Sequence, residues 1–365
     1  MGKQNRGKQD FTHGSFQGGA CRKRGKKSKL FPNMRLLLLI LAPFLFLYGE
    51  EKPAPPKGAP WFTGPLITPF YEVVPGGTYD VEPYLYLYPI TADFNSDWSK
   101  QEQSTLWILT AQGGSYVGIT SWMDVVFLPS VSWQWCENKY SMQLNDFQVL
   151  FDFALWTFPD GSFAPSAKLS IGETFPTGQY RNLGSGQLGT DVGGRGSYQQ
   201  NVNLVLGQQY YFGGEHWFNY QLACLYTYFV PVHVKGFNTY GGGSKCNGTV
   251  YPGQELTATL GLQYSLTYNW ALALDVTGVW TARDRFTGRP GSAEEGRKVP
   301  NRYRSSHQAT VGQGAAFQFS LAPAIEYNWN QIWGVIFGSQ VVITGRNTTS
   351  YAAAIFALNI NIGLP

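Results

Sequence analysis

Six ionisable residues, Asp124, Asp146, Asp152, Lys168, Asp275 and Glu326, fall where an alternating strand pattern turns them away from large apolar neighbours. In the clearest case Phe147, Val149, Phe151, Phe153 and Leu155 alternate with Asp146, Gln148, Asp152 and Ala154. A period of two sends successive side chains to opposite faces of a strand. If the apolar faces meet lipid, the six ionisable groups point into a lumen. Charges there can form a constriction that filters solutes, or can pair and simply satisfy one another. Centring the connection between two of the strands on Asp160 places Asp152 opposite Lys168, so a cross-strand ion pair is expected inside the barrel.

Other chemistry is weaker. The stretch Arg283 to Arg304 carries seven basic residues (Arg283, Arg285, Arg289, Arg297, Lys298, Arg302, Arg304) against three acids. At an outer rim such charge would attract the phosphates of lipopolysaccharide; a solvated loop with no specific partner is the plainer alternative. Gly184–Gly196 lacks the Gly-Lys-Ser/Thr ending of a phosphate-cradling loop and reads as an external loop, with infolding to narrow the pore as an option. Beyond the leader, His216, His233 and His307 stand apart from any inferable serine and acid, so no enzyme is expected. Cys136 and Cys246 fall in external loops and are free to pair in an oxidising envelope. No spacing suits a metal, and no cofactor is expected.

These residues need strands to hold them. From Leu256 to Tyr268 the even positions are Leu, Ala or Tyr, and the odd ones are Thr, Gly, Gln or Ser. The alternation resumes at Trp270 and runs to Ala282. Strands are read near 78–92, 104–117, 122–134, 145–157, 163–175, 201–212, 217–233, 255–268, 270–282, 313–327, 332–345 and 350–362, about 12 in all. Connections after the even-numbered strands are short. Those after the odd-numbered strands are long, except the last. Such parity is what a barrel with one end in the periplasm and one outside should show. The fold class is therefore all-β, a transmembrane antiparallel β-barrel with short periplasmic turns, long external loops and aromatic residues, including Trp217, at the short turns. Closure satisfies the backbone in lipid and leaves no edge.

Residues 1–49 read as a signal peptide: a basic stretch, then the apolar run Leu36–Leu47, with Met34 as an alternative start. That leader holds a net +9 while the whole chain is +4, so the remainder carries −5 and the basic balance gives no case for nucleic acid. A proline-rich periplasmic arm is expected over 50–77 and the barrel over 78–365.

At Pro165–Gly178, PSAKLSIGETFPTG, with its Phe-Pro-Thr-Gly ending and the preceding hairpin Asp146–Asp160, the chain resembles the phenol meta-degradation pathway (MetA) family of outer-membrane transporter-like barrels. The likeness runs from about Gly118 to the C-terminus. It implies an outer-membrane channel of a Gram-negative envelope, taking up small, hydrophobic or aromatic solutes by passive or facilitated passage. The alternative is a structural or surface-interaction barrel without transport, its lumen filled by side chains or by the arm. One departure is the end of the chain: the last aromatic is Phe356, where outer-membrane barrels commonly carry one at the terminus.

Overall fold

The computed structural model describes residues 60, 62–292 and 309–363. The expected leader, 1–49, lies outside them. The strands begin with β1 (Tyr79–Phe94), β2 (Lys100–Thr120), β3 (Met123–Leu128), β4 (Ser130–Cys136), β5 (Lys139–Leu144) and β6 (Phe147–Trp156). Next come β7 (Ser166–Phe175), β8 (Gln199–Gly213), β9 (His216–Phe229), β10 (Val232–Lys235) and β11 (Asn247–Tyr251). The chain continues with β12 (Glu255–Ser265), β13 (Trp270–Thr281), β14 (Arg285–Arg289), β15 (Ala316–Asn328), β16 (Trp333–Arg346) and β17 (Thr348–Ile362).

Twelve of these close a barrel in the order β1, β2, β3, β6, β7, β8, β9, β12, β13, β15, β16 and β17, with β1 pairing antiparallel to both β2 and β17. Every neighbouring pair around the wall is antiparallel, and no sheet edge is left for lipid to meet. The register sorts the two faces. Leu206, Leu222, Leu260, Val276 and Leu321 stand opposite one another in turn, forming an outward apolar row across β8, β9, β12, β13 and β15. One residue along each strand, Gly207, Gln221, Gly261, Asp275 and Ala322 form the matching inward row. A one-residue slip would exchange lipid face for lumen, so the pattern fixes the register. The chain thus has the fold of a bacterial outer-membrane β-barrel and belongs in that membrane. Trp270, Tyr327 and Trp329 pack with ring centroids 4.6 and 5.1 Å apart beside the short turns, at the level where aromatic side chains bridge lipid and water.

The short turns include the Gly213–Gly214 corner between β8 and β9, where φ values of 101° and 62° favour glycine. The long-loop end differs from expectation in two ways. The link between β1 and β2 is only Asn95–Ser99, because both strands continue well beyond the apolar band. What reads as a loop after 134 is the β4–β5 hairpin, which prolongs β3 and β6 outward and pairs with β2. Beyond the barrel, β10, β11 and β14 form a small separate sheet over Val232, Val234, Tyr240 and Val250. Trp217 is also placed otherwise: it points inward and is 2 % exposed, so it takes no part in the aromatic girdle.

The largest correction concerns the proline-rich segment. Its described part, Pro60 and Phe62 to Val74, lines the barrel interior instead of extending into the periplasm. Lacking periodicity and with several N–H groups removed by proline, it cannot join the sheet. It finds its hydrogen-bond acceptors on the inner wall.

Candidate functional site

The luminal segment enters near the short turns. Thr63 donates its backbone N–H to Glu326 Oε1 at 2.5 Å. Glu326 also accepts from Gln263 Nε2 at 2.8 Å and Asn328 Nδ2 at 2.6 Å. Farther in, the Thr68 N–H and hydroxyl meet Asp275 Oδ1 at 2.9 and 2.5 Å, and the Ile67 N–H meets Oδ2 at 3.2 Å. The segment then turns back, and the Val74 N–H donates to Asp124 Oδ2 at 2.6 Å. Three acids from β3, β13 and β15 therefore cap backbone donors that have no strand partner. Hydrogen bonds to charged acceptors are the stronger kind.

Apolar packing acts at the same places. Leu66 is 2 % exposed and buries itself among Ala273, Ala322, Ala353 and Ile355. Tyr71 packs on Val205 and Ala223. The wall is cut away to admit these groups: a Cβ on Gly207 would come within 2.1 Å of the Tyr71 ring, and one on Gly261 within 2.6 Å of Pro65. Both glycines belong to the inward row that contains Asp275. The small residues Gly261 and Ala322 beside that aspartate leave space for the segment to reach it.

Beside the segment an open cavity of about 1540 Å³ runs from the short turns (Asp160, Asn330) to Leu128 and Gln148, near the outer ends of β3 and β6. Its two sides differ. One carries Tyr84, Tyr86 and Tyr88, stacked in a ladder with centroids 5.4 and 5.8 Å apart, and Tyr351 meets Tyr88 edge-on at 5.3 Å. The other carries Asp124, Asp152, Lys168, Ser170, Asn201 and Asn203. Lys168 Nζ lies 2.7 Å from Asp152 Oδ2. Among the described residues of the lining, six acids face one lysine.

The sequence candidates thus divide. Asp124, Asp152 and Lys168 border the open cavity. Asp275 and Glu326 are inward but covered by the luminal segment, each 0 % exposed. Asp146 is not luminal. It precedes β6 at the outer end and accepts the Gly178 and Arg195 N–H groups at 3.0 and 2.9 Å, and burial pushes its carboxyl above the ordinary value. The Asp152–Lys168 geometry also departs from the expected register: the turn centres between Gly161 and Ser162 instead of on Asp160, so even after a one-residue bulge between Ala154 and Trp156 Asp152 stands opposite Ser170 and Ala154 opposite Lys168, and the long lysine side chain reaches Asp152 diagonally.

Sequence reasoning overlooked Asp80, Glu82 and the tyrosine ladder. The signal was present in β1: Asp80 and Glu82 share the parity of Tyr84, Tyr86 and Tyr88, and two acids on a lipid-facing row are too costly. Tyrosine on that parity must therefore face inward, with Leu85 and Leu87 outward. Asn359 Nδ2 ties the acids together, reaching Asp80 Oδ1 and Glu82 Oε1 at 3.0 Å each.

Outside the lumen, Arg283, Arg285 and Arg289 are exposed, the latter two on β14. Arg297, Lys298, Arg302 and Arg304 lie outside the described residues, as does His307. The glycine-rich loop does not enter the cavity. Gln134 Nε2 of β4 holds the Val192 carbonyl at 2.6 Å, and the Asn182 and Leu183 N–H groups bond the Lys235 and Phe237 carbonyls. No disulfide joins Cys136 and Cys246. His216 stacks on Tyr264 with a centroid distance of 5.8 Å, and His233 lies on β10.

No family model and no curated protein matches the sequence. Among solved structures, an outer membrane channel from Pseudomonas putida F1 aligns over 80 % of this chain and 98 % of its own, with a TM-score of 0.58 at 10 % identity. A mutant of the TodX monoaromatic hydrocarbon channel aligns over 83 % and 96 % at 9 % identity with a TM-score of 0.32. The NanC porin aligns over 78 % and 100 % at 8 % identity with a TM-score of 0.35. The first of these likenesses is one of fold: a closed outer-membrane barrel.

Proposed function

We propose that the barrel is an outer-membrane channel for small solutes, narrowed from within by its own N-terminal segment. The observation that carries this reading is the cavity of about 1540 Å³ that remains beside the segment, lined by a tyrosine ladder and by charged side chains. A barrel whose interior served only stability would be filled by side chains. The tyrosine ladder lays an aromatic surface along the path of a planar solute, and aromatic pairs gain roughly 0.5–1.5 kcal/mol beyond area burial. This supports small aromatic compounds as the solute class and agrees with the resemblance to the MetA family. Export by a leader within 1–49 and a proline-rich segment over 50–77 complete the proposed organisation.

A second reading has an observation of its own. Three acids grip the luminal segment, which also suits a structural or surface-interaction barrel held shut. In either case Arg283, Arg285 and Arg289 are proposed to meet lipopolysaccharide phosphates at the rim. Liposome swelling decides between channel and plug. Vesicles holding the full-length protein should swell in small aromatic solutes faster than in sugars of larger cross-section. Swelling at the protein-free rate with every solute would refute the channel.

A further inference from the structure

Among the described residues, charge along the open cavity is out of balance. Asp124 and Asp152 stand directly opposite each other on β3 and β6, and like charges so placed repel. Each has one oxygen in use: Asp152 Oδ2 takes Lys168, and Asp124 Oδ2 takes the Val74 N–H. The other oxygen of each, Oδ1, has no partner although the residues are only 1 % and 2 % exposed. A buried carboxylate oxygen without a donor is costly. Both residues border the cavity, and their Oδ1 atoms, covered in this arrangement, become available to a donor from the lumen when the side chains turn toward it. The deficiency is specific in kind: two carboxylates share one lysine, and one further positive charge would balance them.

Aromatic faces lie close by. Tyr116 is directly opposite Asp80 on β1 and Val126 on β3, two residues along β2 from Gly118, the residue opposite Asp124, and it lines the cavity together with Tyr84. Tyr84 begins the stacked ladder. An aromatic ring set against a carboxylate pair is the arrangement that receives an organic cation, whose charge the carboxylates take and whose apolar body the rings cover.

The geometry points to a transit site for small aromatic monocations, with the ammonium between Asp124 Oδ1 and Asp152 Oδ1 and the ring against Tyr116 and Tyr84. The site rests on the reading of the lumen as a solute path and narrows its solute class from small aromatic compounds to protonated aromatic amines. Lys168 then acts as a resident competitor that keeps the cation's hold short.

The test is equilibrium binding to full-length protein refolded in detergent, with benzylammonium, benzyl alcohol and methylammonium as probes. Benzylammonium should bind about tenfold or more tightly than either of the others, the ratio expected when one charge-assisted hydrogen bond or one ring contact is lost. Asp124→Asn, which keeps an acceptor for Val74, should abolish the preference over benzyl alcohol. Lys168→Met should strengthen benzylammonium binding. Heat-dependent gel mobility reports whether each variant is folded, and Asp124→Asn alone suffices if Lys168→Met is not. Equal binding of benzylammonium and benzyl alcohol, or an undiminished preference in Asp124→Asn, overturns the site. Bilayer recordings separate the two ideas: conductance without cation preference in binding sinks the site and spares the channel. Preferential binding without conductance spares the site and sinks the channel.

Discussion

Asp275→Ala should loosen the luminal segment. Asp275 accepts three hydrogen bonds from two consecutive residues, Ile67 and Thr68, at 3.2, 2.9 and 2.5 Å. A hydrogen bond to a charged group contributes about 1.5–3 kcal/mol, and a donor left buried without a partner costs about 1–3 kcal/mol. Counting the two backbone donors alone gives roughly 3–6 kcal/mol. Water in the lumen can reach some of these groups, so the lower figure, about 3 kcal/mol, is the better guide. That is about a hundredfold in the population of unseated segment. Leu66 and Tyr71 still hold the segment, each by about 1.5–3 kcal/mol of apolar burial. The released state therefore grows without becoming dominant. A cysteine at Ile67, in a background with Cys136, Cys224 and Cys246 replaced, reports the unseating through its rate of reaction with a charged thiol reagent. The rate should rise about a hundredfold in Asp275→Ala and about tenfold in Asp275→Asn, which retains one acceptor. An unchanged rate in Asp275→Ala would refute the claim that the acid seats the segment.

Three further outcomes follow from the same geometry. Gly207→Val should expel Tyr71, since a Cβ there meets its ring at 2.1 Å; Ile67 labelling should rise while heat-dependent gel mobility stays that of a folded barrel. Leu222→Arg, in the middle of the outward row, should destabilise by about 2–4 kcal/mol in urea titrations of lipid-embedded protein; a loss below that range would contradict a lipid-facing placement. Replacing Arg283, Arg285 and Arg289 together by Ala should weaken adsorption to lipopolysaccharide-coated surfaces at low salt, with the difference vanishing at high salt. Equal adsorption at low salt would place the rim contact elsewhere.

The barrel wall was legible in the sequence because lipid imposes a strict alternation. Leu222, Leu260 and Val276 could be assigned outward from parity alone, and Gln221, Gly261 and Asp275 inward with them. Bulges were not legible. The β6–β7 connection centres between Gly161 and Ser162, not on Asp160, and the one-residue bulge near Ala154 recovers only part of that offset, so Lys168 lies two positions from the residue opposite Asp152 and the ion pair survives because lysine is long and flexible. Asp146 misled because its alternation with Phe147 and Val149 continues past the last residue that faces the lumen. The luminal segment was hidden for a different reason. Its contacts pair backbone N–H groups with acids far along the chain, 263 residues away for Glu326, 207 for Asp275 and 50 for Asp124, and no local pattern records such pairings. Its one trace was glycine on an inward row, at Gly207 and Gly261, where a strand would otherwise carry a side chain.

In the proposed function, solutes pass beside a segment that narrows the pore without sealing it. Single-channel recording of the full-length protein beside a form lacking 60–74 tests it most directly. Conductance steps should be small and stable for the full-length protein and clearly larger after the deletion, with both forms folded by gel mobility. Silence from the full-length protein, with steps appearing only after the deletion, would contradict it and make the barrel a closed one. Steps of equal size from both forms would show that the segment does not line the path.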